Sequence, residues 1–204
     1  MTAVPSQGRM FVFEGADNVG KTSLSESTAE YVKGMGLSCE YFAFPGRAQG
    51  TLGKHVYGLH HDALRAGITS ITPTSLQLLH IAAHIDAIES RILPALESGR
   101  TVVLDRFWWS TLVYGRVGGA NEVLLKQMVE LERVSWTTQS PTVVFLIQRS
   151  KPIGGNATDD WKAVSKEYMK LAAQEAGSYP VRYVQNDGLL SEALSQVICR
   201  IKTD

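Results

Sequence analysis

The sequence predicts an α/β fold in which a central parallel sheet of about five strands is flanked by helices. Short apolar runs alternate with longer helical patterns, as expected when crossover helices join parallel strands. The first apolar run ends in a glycine-rich loop that opens a helix. A chain of 204 residues, 44% hydrophobic and 20% charged, can bury one such core. We therefore expect a single domain over residues 10–204 and a flexible N-terminal tail over residues 1–9.

The strands are predicted where short apolar runs are bounded by turn residues. The first run is continuously apolar and stops at Gly15, which is typical of a strand buried on both faces. The second run is broken by Pro45 and Gly46. The five predicted strands are Met10–Glu14, Ser38–Phe44, Thr101–Asp105, Val143–Ile147 and Val181–Val184.

The helices are predicted from apolar residues at helical spacing and from their start and stop signals. Pro73 precedes a long helix and Gly99 follows it, while Pro94 predicts an end or a kink near Leu93. The segment Lys151–Asp160 is rich in Gly, Pro, Asn and Asp and is predicted as a loop. The predicted helices are Lys21–Met35, Thr51–Leu64, Thr74–Leu96, Asn121–Trp136, Asp160–Ala176 and Leu189–Ile201.

The composition gives no reason to expect a nucleic-acid or membrane partner. Lys and Arg number 20, as do Asp and Glu, and no apolar stretch reaches the length of a membrane span. The two cysteines, Cys39 and Cys199, have no zinc-site spacing and are too few for a disulfide framework. We expect free thiols and a cytoplasmic protein.

The glycine-rich loop Gly15–Thr22 reads GADNVGKT and satisfies the pattern G-x-x-x-x-G-K-T. Its glycines allow successive N–H groups to point at phosphates, and the following helix adds its partial positive charge. Lys21 offers a cation and Thr22 a hydroxyl for Mg²⁺. A strand before and a helix after this loop predict bound ATP and the three-layer fold of P-loop NTPases. The predicted ATP-binding residues are Gly15, Asn18, Val19, Gly20, Lys21, Thr22 and Ser23.

Charged residues after the next two strands suit phosphoryl transfer to a second polyanion. Arg47 follows the second predicted strand, and Asp105 and Arg106 end the third. Guanidinium groups bind phosphate bidentately, so both arginines are suited to hold an acceptor phosphate, the role that the family resemblance described next implies for them. Asp105 and Thr22 are the expected metal ligands for Mg²⁺. A solvated loop arginine and a structural ion pair are the alternative interpretations of these residues.

In this combination the sequence resembles the thymidylate kinase family over most of the chain, from Met10 to about Tyr114, and more weakly after Pro141. The shared pattern is the phosphate loop, the segment Phe44–Arg47, the segment Asp105–Phe107 and Ser110. The resemblance implies ATP-dependent phosphorylation of a deoxynucleoside monophosphate, with dTMP converted to dTDP as the leading expectation. It also implies a homodimer.

Several residue roles are implied by this resemblance. Asp17 would repel phosphate if it faced the triphosphate, and in the family the matching acid meets the sugar 3′-hydroxyl of the acceptor. Tyr114 matches an aromatic near the sugar that favours deoxyribose. The expected substrate-binding residues are Asp17, Phe44, Arg47, His80, His84, Arg106, Ser110 and Tyr114.

The predicted base pocket departs from the family pattern. Where the family reads Leu-Leu-Phe-x-Ala-x-Arg, this chain has histidine at both base-reading positions, His80 and His84. Imidazole can stack and hydrogen-bond, so the reaction type is kept while the identity of the base stays open. Two histidines four residues apart lack the further ligands that a metal needs. Plain helix packing is the other interpretation.

The predicted lid also departs from the family. Phosphoryl transfer needs a cation over the transferring group, and neither Asn18 nor Val19 of the phosphate loop is basic. Arg149 is the first candidate for that cation and Lys151 the second, in a segment whose glycines permit closure. The expected catalytic residues are Lys21, Asp17, Arg106, Asp105, Arg149 and Lys151.

Three other functions stay open at this point. One is a kinase for another nucleoside monophosphate, including a modified one, and a second is a deoxynucleoside kinase, which would not need Arg47 at an acceptor phosphate. A third, from another class, is a catalytically weak nucleotide-binding module. A GTPase is disfavoured because the chain lacks an N-K-x-D motif, the nearest string being Asn186–Gly188.

Overall fold

The computed structural model describes residues 8–203, so most of the predicted N-terminal tail, 1–9, lies outside the described residues. Its five strands form one sheet in the order β2-β3-β1-β4-β5, and every neighbouring pair is parallel. The predicted α/β fold is confirmed. The strands are β1 (Met10–Glu14), β2 (Cys39–Ala43), β3 (Thr101–Asp105), β4 (Val143–Gln148) and β5 (Val181–Gln185).

Every predicted helix has a counterpart, and four of the helices begin at a side-chain cap. The hydroxyls of Thr51, Thr72 and Thr158 and the amide oxygen of Asn121 accept backbone N–H groups of the first turn. Helices and a short 3₁₀ turn, Ala63–Ala66, join the strands. The helices are α1 (Lys21–Gly34), α2 (Leu52–His61), α3 (Pro73–Ala87), α4 (Leu93–Glu97), α5 (Trp108–Val117), α6 (Glu122–Ser135), α7 (Asp159–Glu175) and α8 (Leu190–Thr203).

Helix α5 was not predicted, because its sequence carries no amphipathic pattern. Trp108, Trp109 and Leu112 are buried together with four more of its ten residues. A helix enclosed on all sides has no polar stripe, so periodicity cannot reveal it. Helix α5 carries the chain after Arg106 into the core. The residues at the start of this helix are therefore held in place by packing.

The long helix predicted for Thr74–Leu96 is interrupted rather than ended. Between α3 and α4 the chain makes a π-helical turn, Ile88–Ile92, and it then stays helical to Glu97. Pro94 has no N–H, and its ring crowds the carbonyl four residues earlier, so the helix widens before it. The irregular turn ends directly before Leu93, near which Pro94 predicted an end or a kink.

The strand order brings the predicted site residues to one edge of the sheet. From β1 the chain runs to one side for β2 and β3, and then crosses to the other side for β4 and β5. Phe13 pairs in register with Asp105, so the loops that follow β1 and β3 are neighbours. Ligands of open α/β sheets bind at such a switch point, outside the carboxyl ends of the strands. None of the helices within residues 8–203 has the length and apolarity to cross a membrane.

Candidate active site

The phosphate loop after β1 adopts a conformation that few residue types tolerate. Gly15 has φ 142°, Asn18 has φ 59° and Gly20 has φ 90°. A Cβ on Gly20 would lie 2.4 Å from the Nδ2 atom of Asn186, so the glycine also permits a close approach. The two glycines in the motif are therefore required by the backbone itself.

The outward-facing carbonyls of this loop are held by segments from the other half of the chain. The carbonyl of Asp17 accepts from the indole of Trp161 at 2.8 Å, and that of Asn18 accepts from the backbone N–H of Ile153 at 2.7 Å. The next carbonyl, of Val19, accepts from the amide of Asn186 at 2.7 Å. With its carbonyls bonded outward, the loop is held in a shape that leaves its N–H groups for an anion.

Lys21 lies beneath this loop and is buried, with 5% of its surface exposed. Its Nζ donates to the carbonyl of Ala16 at 2.6 Å. Burial is the main cause that lowers the pKa of Lys21 to about 7, and the nearby Arg106 guanidinium adds to the effect. A polyphosphate placed here would favour the charged ammonium, so ATP and the Lys21 proton should bind together.

Thr22 and Asp105 form a pair suited to a divalent cation. The Thr22 hydroxyl donates to Asp105 Oδ2 at 2.6 Å, and the carboxylate is 4% exposed. The other oxygen, Oδ1, is enclosed and has no hydrogen-bond partner in the part of the chain that the structure describes. A hydroxyl and a free carboxylate oxygen beside a phosphate loop fit Mg²⁺, which takes oxygen ligands.

Glu14, a residue missed in the sequence, ties β1 to the start of α5. Its buried carboxylate accepts from the backbone N–H groups of Phe107 and Ser110 at 2.7 and 3.0 Å. It also accepts the hydroxyls of Ser110 and Tyr168 at 2.8 and 2.9 Å. Burial raises the pKa of Glu14, opposed chiefly by Arg106. Ser110, expected to bind substrate, is thus engaged by protein groups, and its oxygen also accepts from Arg106 at 3.2 Å.

Arg106 projects from the turn between β3 and α5 with φ 75°. Its guanidinium donates to the Asp17 carboxylate and lies 5.4 Å above the ring of Tyr114. Burial raises the pKa of Asp17, but Arg106 and Lys21 outweigh it, so the net pKa lies below its usual value. The structure therefore brings together three predicted acceptor residues, Asp17, Arg106 and Tyr114, next to the phosphate loop.

These residues open into a cavity of about 390 Å³ between the phosphate loop, α2, α3 and α5. We call it the acceptor cavity, because the residues predicted to bind the acceptor line it. Its size suits a small ligand such as a nucleoside monophosphate. Every predicted substrate-binding residue lines it. The lining residues are Asp17, Asn18, Phe44, Pro45, Arg47, Tyr57, His60, His61, Gln77, His80, His84, Arg106, Ser110, Thr111 and Tyr114.

Arg47 reaches this cavity from the loop after β2 and is held over the ring of Tyr57 at 5.0 Å. The loop packs tightly on the start of α2. A Cβ on Gly53 would lie 1.8 Å from the carbonyl oxygen of Pro45 and 2.8 Å from the Cα of Gly46. Gly53 is therefore needed for the loop to bring Arg47 to the cavity.

The two predicted base-reading histidines have different surroundings. His84 is 3% exposed, stacks on Phe44 with ring centroids 4.0 Å apart, and bonds through Nδ1 to Glu132 at 2.8 Å. His80 bonds through Nε2 to Nδ1 of His60 at 2.9 Å. Burial, followed by the neighbouring His84, lowers the pKa of His80 to about 3, so it is neutral near pH 7. Among residues 8–203, no cluster of three or more metal-binding side chains forms.

The predicted lid residues lie in the loop after β4. The Arg149 guanidinium donates to the backbone carbonyls of Lys151, at 3.1 Å, and Asn186. Lys151 is exposed, two residues before the Ile153 N–H that bonds the phosphate loop. The acceptor cavity has neither Arg149 nor Lys151 in its lining.

The residues missed by sequence reasoning are those whose role needs a distant partner. The only sequence signal for Glu14 was its position directly before the phosphate loop. The only signal for Trp161 was its position in the first turn of a helix, after the capping residue. Tyr57, His60 and Glu132 have no local signal at all. Only the packing of α2, α3 and α6 brings Tyr57 and His60 to the cavity and Glu132 to His84.

The fold and the site define a P-loop phosphotransferase whose phosphate loop adjoins a cationic acceptor cavity. A family model described as thymidylate kinase matches residues 13–178. The chain therefore belongs to the thymidylate kinase family, as its sequence motifs predicted, and is a nucleoside monophosphate kinase.

Individual relatives agree with this assignment. The chain is 29% identical over 208 residues to a thymidylate kinase of Nostoc punctiforme, covering 95% of each chain. It is 28% identical over 196 residues to a thymidylate kinase of Thermoanaerobacter sp., covering 90% of this chain and 91% of the relative. The crystal structure of thymidylate kinase from Ehrlichia chaffeensis has the same fold, with a TM-score of 0.77 at 22% identity over 96% of this chain and 99% of that one.

Proposed function

We propose that this chain transfers the γ-phosphoryl group of ATP to dTMP, giving ADP and dTDP. The observation that carries the proposal is the position of Arg106, which bonds Asp17 of the phosphate loop and lines the acceptor cavity. An arginine at that junction is suited to hold an acceptor phosphate beside the triphosphate. Family membership and the relatives named thymidylate kinase support the same reaction.

In the proposed reaction an oxygen of the acceptor monophosphate attacks the γ-phosphorus of ATP in line. The new P–O bond forms as the bond to the β-phosphate oxygen breaks, and ADP leaves. The loop N–H groups and Lys21 bind the β- and γ-phosphates, while Arg47 and Arg106 hold the acceptor phosphate. Catalysis then consists of positioning two polyanions and neutralising their charge.

We propose that Mg²⁺ accompanies ATP and is held by Thr22 and Asp105. The unpartnered, enclosed Oδ1 of Asp105 supports this proposal. When bound, the ion would neutralise charge on the β- and γ-phosphates. Removal of the metal with a chelator should abolish turnover, and Asp105→Asn should raise the Mg²⁺ concentration needed for half-maximal rate.

The same geometry supports proposals for the residues that contact the sugar and for the cation that covers the transferring phosphoryl group. Asp17, at the cavity wall, is proposed to accept the sugar 3′-hydroxyl, with Tyr114 beside it to exclude a 2′-hydroxyl. For the cation over the transferring group, Lys151 is favoured over Arg149. Arg149 is already engaged by two carbonyls, whereas Lys151 is exposed on a loop that touches the phosphate loop.

The test is ADP release by the purified chain with ATP, Mg²⁺ and each common nucleoside monophosphate in turn. The expected result is the highest kcat/KM with dTMP and a lower value with the ribonucleotide. Thymidine serves as the matched acceptor without a phosphate. Turnover of thymidine but not dTMP would identify a deoxynucleoside kinase, and tight ATP binding with no transfer would identify a binding module.

We also propose that residues 10–204 form one domain and that two copies of the chain associate as a homodimer. The proposed location of the protein is the cytoplasm. Helix α6 carries exposed apolar side chains at Val123, Leu131 and Val134, and α3 adds Leu78, as expected of a face that another copy covers. The two cysteines are free thiols, which suits a reducing compartment. Sedimentation of wild type and Leu131→Asp tests the dimer, which the variant should dissociate.

A further inference from the structure

Helix α5 has no cap of its own at the end that follows Arg106. Its N-cap residue, Phe107, carries no side-chain oxygen, and within residues 8–203 the helix makes no side-chain cap bond of its own. Glu14, the last residue of β1, supplies the acceptor instead. Its Oε1 accepts the backbone N–H groups of Phe107 and Ser110 at 2.7 and 3.0 Å. These are the N-cap and N3 groups that a capping box satisfies from inside a helix, so a carboxylate from another element caps α5.

The capped turn begins directly after Arg106, whose backbone lies in the left-handed region with φ 75°. A residue other than glycine keeps this conformation only where its surroundings hold it. The N–H of Arg106 donates to the carbonyl of Phe13 at 2.9 Å, and the next N–H, of Phe107, donates to Glu14. Two consecutive residues at the end of β1 therefore hold two consecutive N–H groups at the corner that carries Arg106.

Glu14 also holds the hydroxyl that contacts the Arg106 side chain. Its second oxygen, Oε2, accepts from the hydroxyls of Ser110 and Tyr168 at 2.8 and 2.9 Å. The Ser110 oxygen accepts in turn from Nη1 of Arg106 at 3.2 Å, while Nη2 bonds Asp17. A guanidinium has five N–H groups, so these two contacts leave donors for a phosphate in the acceptor cavity.

Glu14 itself does not reach the acceptor cavity. It is 0% exposed and does not line that cavity, whereas Arg106 does. Resting on the proposed function, we propose that Glu14 is a positioning residue that sets the affinity for dTMP by holding the start of α5, and with it Arg106, in place. The position depends on the bonds to two backbone N–H groups, so the length of the Glu14 side chain matters more than its charge.

The test compares a shorter carboxylate with a neutral side chain of the same length. Glu14→Asp keeps the charge but withdraws the oxygen from both N–H groups, so kcat/KM for dTMP should fall at least about tenfold. Glu14→Gln keeps an oxygen that can accept both N–H groups, and its amide can donate to the Ser110 and Tyr168 hydroxyls. Its kcat/KM should stay within about threefold of wild type, and the ATP Kd of either variant within about twofold.

Three results would overturn the proposal. If Glu14→Gln loses as much activity as Glu14→Asp, or more, the charge of Glu14 matters and not its reach. If Glu14→Asp weakens ATP and dTMP binding equally, the defect lies in the phosphate loop. If Glu14→Asp lowers only the melting temperature and leaves the dTMP KM unchanged, Glu14 is merely structural.

Glu175→Asp is the matched control. Glu175 is a buried carboxylate on α7 that accepts from Arg133 at 3.2 Å and from Tyr179 at 3.1 Å, and not from the α5 backbone N–H groups that Glu14 caps. Shortening it should lower the melting temperature and leave the dTMP KM unchanged. If Glu14→Asp does not fold, Tyr168→Phe removes one bond to Oε2 and should raise the dTMP KM about threefold. An unchanged KM in that variant overturns the proposal.

A spectroscopic measurement does not depend on turnover. In a ¹⁵N–¹H spectrum of the arginine side chains, the Nε signal of Arg106 is identified by its loss in Arg106→Lys. It should move further from its wild-type position in Glu14→Asp than in Glu14→Gln, and an equal or reversed order overturns the proposal. If wild type transfers no phosphoryl group to any monophosphate, the proposed function fails, and this spectrum still decides whether Glu14 holds Arg106.

Discussion

The phosphate loop and the acceptor cavity are neighbours, yet they are built in opposite ways. The loop is one stretch of eight residues whose proposed ligand-binding groups are backbone N–H groups and two side chains, Lys21 and Thr22. The cavity takes side chains from segments as far apart as Asp17 and Tyr114, and Glu132 stands behind it. A local backbone shape can be specified by a short motif, whereas a composite pocket depends on how whole helices pack.

The comparison predicts which changes affect the donor site and which affect the acceptor site. Changes within the loop should alter ATP binding and turnover with every acceptor. Changes in the cavity should alter the acceptor KM and leave ATP binding intact. Arg106 touches both regions, because it bonds Asp17 of the loop and lines the cavity.

The largest effect is expected for Lys21→Ala. Removal of the buried ammonium leaves the γ-phosphate charge without the cation that the loop supplies, so kcat should fall about 10³-fold. Steady-state ADP release measures it. Lys126→Ala is the control, since Lys126 is 64% exposed and pairs only at the surface with Glu122. Near-normal turnover in Lys21→Ala would remove the loop from the mechanism.

The second-largest effect is expected for Arg106→Ala. Charge-assisted bonds to the acceptor phosphate are lost, so kcat/KM for dTMP should fall about 100-fold while the ATP Kd changes little. Arg116→Ala serves as control, because Arg116 bonds Glu122 at 3.1 Å at the surface. Equal losses in ATP and dTMP binding would contradict the assignment of Arg106 to the acceptor.

Gly53→Ala tests whether the loop carrying Arg47 is set by packing. The added Cβ would overlap the Pro45 carbonyl oxygen, so the loop must move and the dTMP KM should rise about tenfold. Gly58→Ala on the same helix is the control. Its Cβ meets nothing within 4 Å, and it should stabilise the protein by about 1 kcal/mol in a chemical denaturation. An unchanged dTMP KM in Gly53→Ala would show that the loop position does not matter.

The pH dependence of ATP binding tests the charge of Lys21. Burial lowers the pKa of Lys21 to about 7, so the side chain is charged below pH 7 and neutral above it. Phosphate favours the charged form, so ATP binding takes up a proton above pH 7 and the Kd weakens by up to about tenfold per pH unit. Calorimetry in buffers of different ionisation enthalpy measures the uptake. A flat Kd from pH 7 to 9 would be inconsistent with a buried neutral Lys21.

The smallest effect is expected for Trp161→Phe. It removes the indole N–H that holds the Asp17 carbonyl at 2.8 Å but keeps an aromatic ring. Loss of one partly exposed hydrogen bond should weaken ATP binding about fivefold. Trp136→Phe, at a residue outside the loop contacts, should leave ATP affinity unchanged, and the same loss in both variants would argue against a specific contact.

Sequence reasoning succeeded where the physical cause was local. The strands and most helices followed from apolar runs, caps and glycine stops, and the family motifs located all eight expected acceptor residues at the cavity. It failed for α5, whose buried residues erase any periodicity, while Pro94 predicted a break near Leu93 without revealing its π-helical form. Sequence reasoning also assigned the same base-reading role to His80 and His84. It could not distinguish them, because His80 bonds a residue of α2 and His84 bonds a residue of α6.

The sequence by itself determined the fold class, the phosphate loop and the kinase family, because each depends on residue order over short spans. Gly15, Gly20 and Lys21 must stand at fixed spacing for a backbone to enclose phosphate. Only the tertiary structure decided the surroundings of the two histidines. It placed Glu132 beside His84, 48 residues away in sequence, and a hydrogen bond between buried side chains of two helices depends on packing that no linear pattern encodes.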